Sequence, residues 1–147
     1  MSTQSTRRTT LSPRTVALAK GKNFAVLSTI RPDGHPAAQV MWVDCDDEFI
    51  LINTEKHRRK YANTLADPRV TVTIWKSDDP YTYVEIRGVV HDRIEGAQAR
   101  EHIDALAWRY FGRPYDPDEI ESERVILRIR PLSSADPESV PRSESAP

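Results

Sequence analysis

Cysteine is nearly missing from this 147-residue sequence: Cys45 stands alone. A single thiol excludes an intrachain disulfide and any cysteine-rich zinc site. No apolar run approaches the ~18 residues that span a bilayer. The first ten residues are polar and lack the hydrophobic stretch of a secretory signal. A cytoplasmic protein with no membrane partner is the expectation. Excess charge of either sign is missing too. Lys and Arg total 21, Asp and Glu total 22, and the formal net charge is −1. Chains that coat nucleic acid are usually basic throughout, so no nucleic-acid partner is expected and any basic site must be local. GxSxG, GxGxxG and Walker motifs do not occur. His35, His57, His91 and His102 form neither an i, i+4 pair nor HExxH. The common hydrolase, dinucleotide, P-loop and helical-zinc readings lose their support, and no metal site is expected.

What is present suffices for one core. Hydrophobic residues make up 38% of the chain. Residues 1–10 read as a disordered segment, 11–131 as the working domain, and 132–147, rich in Ser, Pro and Glu, as a flexible tail. Ser12-Pro13 signals a helix start, with Gly21 to close it. Asn23–Ile30, Pro36–Asp44 and Glu48–Thr54 read as strands, joined by turns at Arg31-Pro32-Asp33-Gly34 and Asp44–Asp47. His57–Ala66 reads as a helix with Tyr61 and Leu65 on one face. Val70–Trp75 and Tyr81–Val90 are strands, the second bending at Gly88. Ala97–Phe111 is a helix with an Ile103, Leu106, Tyr110 stripe. Glu123–Arg130 is the sixth strand, with Val125, Leu127 and Ile129 facing one way. The class is α+β, mainly β, with six antiparallel strands. Closure into a barrel would remove exposed edges.

The most unusual local feature is Lys56-His57-Arg58-Arg59-Lys60, four certain cations within five residues. The run follows a strand end at Asn53-Thr54 and opens a helix. Cations are disfavoured at that end of a helix dipole, so an external anion would explain them. Arg58 offers a planar fork to phosphate oxygens and Lys60 a point charge. A solvated surface run is the other reading, and composition leaves both open. Asp44–Glu48 reads as a hairpin turn, because a tight turn splays its carboxylates. Cys45 has no local base to make it a nucleophile. Trp42, Trp75, Tyr81 and Tyr83 on strands read as core or interface aromatics.

Four stretches, taken in order, resemble a known group. They are Phe24–Ile30 with Arg31-Pro32-Asp33-Gly34-His35-Pro36; the strand through Gln39, Met41 and Trp42; Asn53-Thr54 with Lys56–Lys60, Asn63 and Asp67-Pro68-Arg69-Val70; and Tyr83–Gly88. Together they resemble the pyridoxamine-phosphate-oxidase-like superfamily of split β-barrel flavin and deazaflavin oxidoreductases, and within it the short enzymes that use coenzyme F420. The resemblance implies a six-stranded split barrel and a homodimer with two cofactor sites at its interface. It implies Arg58 and Lys60 as ligands of the cofactor phosphate, with Asn63 nearby, Lys56 as an addition, and Asn53 and Thr54 leading into the run. Ser28, Thr29, Gln39 and Met41 would flank the ring system. Tyr81 and Tyr83 would reach it from the other subunit. The implied cofactor is F420, with FMN as the alternative. The implied reaction moves a hydride from the reduced deazaflavin to a conjugated, electron-poor small molecule, and no catalytic side chain is assigned. A non-enzymatic binder of flavin, F420 or haem (with His57 or His91 as axial ligand) and a small anion-binding or nucleic-acid-binding barrel stand as alternatives.

Overall fold

A computed structural model of the protein describes residues 10–132. The segment 1–10 and the tail 132–147 lie outside the described residues except at their inner ends. Seven strands occur where six were expected: β1 (Phe24–Ile30), β2 (Pro36–Met41), β3 (Asp44–Cys45), β4 (Ile50–Glu55), β5 (Arg69–Lys76), β6 (Asp79–Glu95) and β7 (Arg124–Pro131). They form one antiparallel sheet in the order β2-β1-β5-β6-β7-β4-β3. Its ends, β2 and β3, do not pair with each other among the described residues, so the sheet is split-barrel-like, as the resemblance implies, but has seven strands and does not close on itself. The helices are α1 (Pro13–Lys20), α2 (Arg59–Ala66) and α3 (Ala97–Phe111), and none of the described helices is long and apolar enough to cross a membrane.

The extra strand comes from the acidic run. Asp44 and Cys45 pair with Leu51 and Ile50 and are both buried. The reversal falls one step later, at Asp46, whose carboxylate accepts the Glu48 and Phe49 N–H groups at 2.8 and 2.7 Å. The expected loop Lys76–Pro80 shrinks in the same way. Lys76 pairs with Asp79, and β6 runs on to Glu95.

Alternation builds the core. Ala25 and Leu27 on β1, Val70, Val72 and Ile74 on β5, and Val84, Ile86 and Val90 on β6 point into one cluster with Ile50, Ile52, Leu127 and Ile129. The long β6 shapes the sheet. It pairs with β5 from Asp79 to Val89 and with β7 from Gly88 to Glu95, with a bulge between Val90 and Asp92. The strand therefore changes partners near Gly88, and the irregularity lies at His91 rather than at the glycine. Gly88 has a different cause: a Cβ there would lie 2.5 Å from the Arg130 carbonyl oxygen.

Local signals act as expected at α1 and α3. Ser12 Oγ accepts the Thr15 N–H at 3.1 Å, with Pro13 in the first turn. Helix α3 buries Ile103, Leu106 and Tyr110 and ends at Gly112, left-handed at φ 74°. Helix α2 departs from expectation. It starts at Arg59, and its buried residues are Lys60, Asn63 and Thr64, whereas Leu65 is 57% exposed. Polar partners explain the inversion: Asn63 Nδ2 donates to Thr29 Oγ1 of β1 at 3.0 Å, and Lys60 turns toward a cavity.

Candidate functional site

A cavity of about 640 Å³ opens between β2, the end of β4, the start of α2, helix α3 and the α3–β7 loop. It brings together six of the residues singled out in the sequence: Gln39, Met41, Asn53, Thr54, Arg58 and Lys60. Trp42 forms one wall. Its ring stacks on Tyr110 at 4.8 Å and meets Phe111 and Tyr115 edge-on at 5.0 and 6.3 Å.

The cationic end carries the unusual chemistry. Lys60 is only 8% exposed, yet its ammonium has no hydrogen bond or ion pair among the described residues. Burial pushes its pKa down, and the charges of Arg58 and Arg124 push it further the same way. Arg124 is 9% exposed. Burial likewise lowers its pKa, against opposing contributions from Tyr115 and Glu55, and Arg58 lowers it again. Glu55, fully buried at the end of β4, is the carboxylate that pairs with Arg124, and it is already committed. Its Oε1 accepts the Glu121 and Ser122 N–H groups at 2.8 Å each, and its Oε2 accepts Arg124 at 3.1 Å. Burial would raise its pKa; those two N–H groups and the Arg124 charge bring it below the usual carboxylate range. Three cations thus line one cavity in which Glu55 is already occupied and Asp116 and Glu119 are the other carboxylates. Such an arrangement leaves cationic donors facing the cavity.

Asn53 plays a supporting part. Its Oδ1 accepts Arg124 Nε at 2.9 Å, and its Nδ2 meets the Ala99 carbonyl at 2.9 Å and His102 Nδ1 at 3.1 Å. The amide orientation follows from the first two partners, so His102 Nδ1 accepts and its Nε2 donates to Asp44 Oδ2 at 2.9 Å.

The other singled-out residues do not line the cavity. Ser28 and Thr29 lie on β1, with Thr29 buried against Asn63. Lys56 is held by Glu95 and Glu123 at 2.7 and 2.8 Å. Tyr81 and Tyr83 are 41% and 48% exposed on β6. Of the histidines offered as axial ligands, His57 meets Ser122 Oγ at 2.7 Å and His91 stacks on Phe49.

The family model for pyridoxamine 5′-phosphate oxidase matches residues 11–135. The chain belongs to the pyridoxamine 5′-phosphate oxidase family. Within the solved structures, it is 32% identical to an F420 reductase, covering 80% of this chain and 92% of that one, with a TM-score of 0.66. A conserved hypothetical protein of Mycobacterium tuberculosis is 23% identical over 96% of both chains, with a TM-score of 0.63. A pyridoxamine 5′-phosphate oxidase-related, FMN-binding protein of Nostoc punctiforme is 18% identical over 76% of this chain and 71% of that one, with a TM-score of 0.53. At those lower identities the likeness shows the fold alone. No curated protein matches the chain.

Cavity residues of this family member that escaped the sequence reading include Glu55, Arg113, Tyr115, Asp116, Glu119 and Arg124. Arg124 had a signal of a kind. It opens the last strand directly opposite Glu55, a pairing that only the β4–β7 register reveals. Arg113 and Tyr115 lie in the irregular stretch after α3, where no period marks an inward side.

Proposed function

We propose that this chain is an oxidoreductase that binds coenzyme F420 with the cofactor phosphate on Arg58 and Lys60, and that it reduces a conjugated, electron-poor small molecule. One observation carries the reading: a buried, unpartnered Lys60 beside Arg58 and Arg124 at the end of a cavity walled by Trp42. That donor set fits a phosphate and not an uncharged ligand. The F420 reductase at 32% identity supports a deazaflavin, and FMN is the second candidate. When bound, such a ring supplies hydride chemistry. This chain's residues supply the rest. Arg58 and Lys60 anchor the phosphate. Trp42, packed on Tyr110, gives a rigid aromatic wall that excludes water. Gln39 and Met41 on the exposed strand β2 border the open side, where an acceptor would approach. In this reading the protein is a homodimer, and the exposed Tyr81 and Tyr83 complete the partner's cavity.

Parallel fluorescence titrations with F420 and FMN test the proposal, with light scattering on the same samples. Micromolar or tighter F420 binding by a dimer, and weaker FMN binding, is the expected result. Preference for FMN would move the protein to flavin chemistry. Binding of neither would remove the function, and a monomer that binds tightly would remove the shared site.

A further inference from the structure

The cationic end of the cavity contains more than the two residues that the basic run supplies. Arg124 comes from the opposite end of the sequence, on β7, and its guanidinium is fixed at two points. Nε donates to Asn53 Oδ1 at 2.9 Å, and Nη1 donates to Glu55 Oε2 at 3.1 Å. The plane also lies over the Tyr115 ring, 5.2 Å from its centroid. Nη2 has no partner among the described residues, although the side chain is 8% exposed and lines the cavity. An arginine held by its Nε and one terminal nitrogen presents the other in a fixed direction at little further cost in entropy.

The two supports differ in what lies behind them. Glu55 is braced by the backbone of Glu121 and Ser122. Asn53 is braced by the Ala99 carbonyl and by His102, which is turned by Asp44. Asp44 in turn accepts Arg109 at 2.8 Å and Lys20 at 3.3 Å. A continuous line of hydrogen bonds therefore runs from α3 and β3 through β4 to the guanidinium. Each member's donor and acceptor roles are fixed by the next. Both Nδ2 protons of Asn53 are used inside the protein, which leaves none for an anion, so its effect on one passes through Arg124.

We infer that Arg124 is a third ligand of the anion held by Arg58 and Lys60, and that Asn53, oriented by His102, is the residue that positions it. The inference rests on the phosphate reading above and extends it to residues outside the basic run. Arg124 turns a two-residue clasp into a three-sided one around the free oxygens of a phosphate. The carboxylates of Asp116 and Glu119 also border the cavity. The Asp116 side chain is engaged by the Asp118 N–H at 2.9 Å.

Inorganic phosphate is the probe, because it needs no assumption about the ring. Its affinity is measured on the full chain by calorimetry at constant ionic strength. Wild type should bind phosphate at one saturable site per chain. Arg124→Lys, which keeps the charge but loses the fork, should bind it at least about tenfold more weakly. Asn53→Ala should weaken it by a smaller factor. In the Arg124→Lys background, Asn53→Ala should cause no further loss, a non-additivity that general loosening of the fold would not produce. If Arg124→Lys does not fold, the guanidinium N–H resonances of Arg124 in wild type replace it. They should shift with phosphate along the same isotherm as the protein's heat signal. Unchanged phosphate affinity in Arg124→Lys, or unmoved Arg124 resonances at saturation, overturns this inference and leaves the Arg58 and Lys60 site standing. Fully additive losses overturn the positioning role of Asn53. No saturable phosphate binding to wild type overturns the inference and the phosphate reading beneath it together.

Discussion

Replacing Arg58 and Lys60 together with alanine is expected to weaken F420 or FMN binding by about 2–4 kcal/mol, a ~30- to 1,000-fold rise in Kd. Both side chains line the cavity, and among the described residues neither has a competing side-chain partner that would reorganise when it is cut. The loss is then mostly that of charge-assisted hydrogen bonds to the phosphate. Riboflavin, which has the ring of FMN but no phosphate, serves as the control. Its weaker affinity should be nearly indifferent to the substitutions. An unchanged Kd for the phosphorylated cofactor in the double variant removes the phosphate assignment.

The same site makes a prediction of opposite sign for the free protein. Lys60 is buried with no ion pair among the described residues, and Arg58 and Arg124 repel it. Its native pKa lies below the unfolded value of about 10.4, so protonation favours the unfolded chain. That penalty is present in full below the native value and disappears as the pH rises through it toward the unfolded one. Lys60→Met keeps the stem and removes the charge. It should therefore raise the stability of the ligand-free protein at pH 7, by about 1 kcal/mol or more, while weakening cofactor binding. Chemical denaturation with and without saturating cofactor reads both effects. A variant that is less stable without ligand would show that Lys60 has a partner inside the fold, and that the ammonium is structural.

The two halves of this site differ in how far they can be read from the residues. The basic run is legible because it violates a local rule: cations cluster where a helix dipole repels them. Helix α3 is legible at both ends because its apolar stripe keeps a 3.6-residue period and Gly112 ends it. Arg124 is not legible. Alternation on β7 shows Val125, Leu127 and Ile129 inward and assigns Arg124 to the outside. Only the non-local register that sets it against Glu55 reveals a buried charge. Lys60 misleads for a related reason. Periodicity ranks Tyr61 and Leu65 as the inward face of α2; Tyr61 does pack against the core, but Leu65 is exposed, and Asn63 bonds inward to Thr29 with Lys60 buried beside the same face. Apolar patterning shows where water is excluded. It carries no information about buried polar groups, whose partners lie far away in the sequence. Strand β3 is illegible on the same ground, since Asp44 is buried where Arg109 and His102 of α3 and Lys20 of α1 receive it.

The cluster around Asp44 should dominate the stability of the fold. Arg109 on α3 donates to the Ala19 and Val43 carbonyls at 3.1 and 2.7 Å and to Asp44 Oδ1 at 2.8 Å, tying α1, α3 and the start of β3 together. Arg109→Ala removes all of these and leaves the Asp44 carboxylate, 12% exposed, with Lys20 and His102 alone. Breaking a buried pair from one side typically costs about 3–5 kcal/mol, and that is the expected loss here. Asp44→Asn gives the complementary test, because its effect must depend on pH. Burial would raise the Asp44 pKa, but the hydrogen bonds from His102 and Arg109 outweigh it and hold the carboxyl well below the usual range. A depressed native pKa means that the charge stabilises the fold above the unfolded value of about 3.9, and that this contribution fades as the pH falls through the native value. Wild type should therefore exceed Asp44→Asn in urea unfolding at pH 7, and the gap should narrow as the pH is taken below 4. A gap that stays constant into acid would mean that shape, rather than charge, holds the cluster. A narrowing gap accompanied by weaker phosphate binding to Asp44→Asn at pH 7 would join the two ends of the molecule, because His102 and Asn53 carry the orientation set at Asp44 to Arg124.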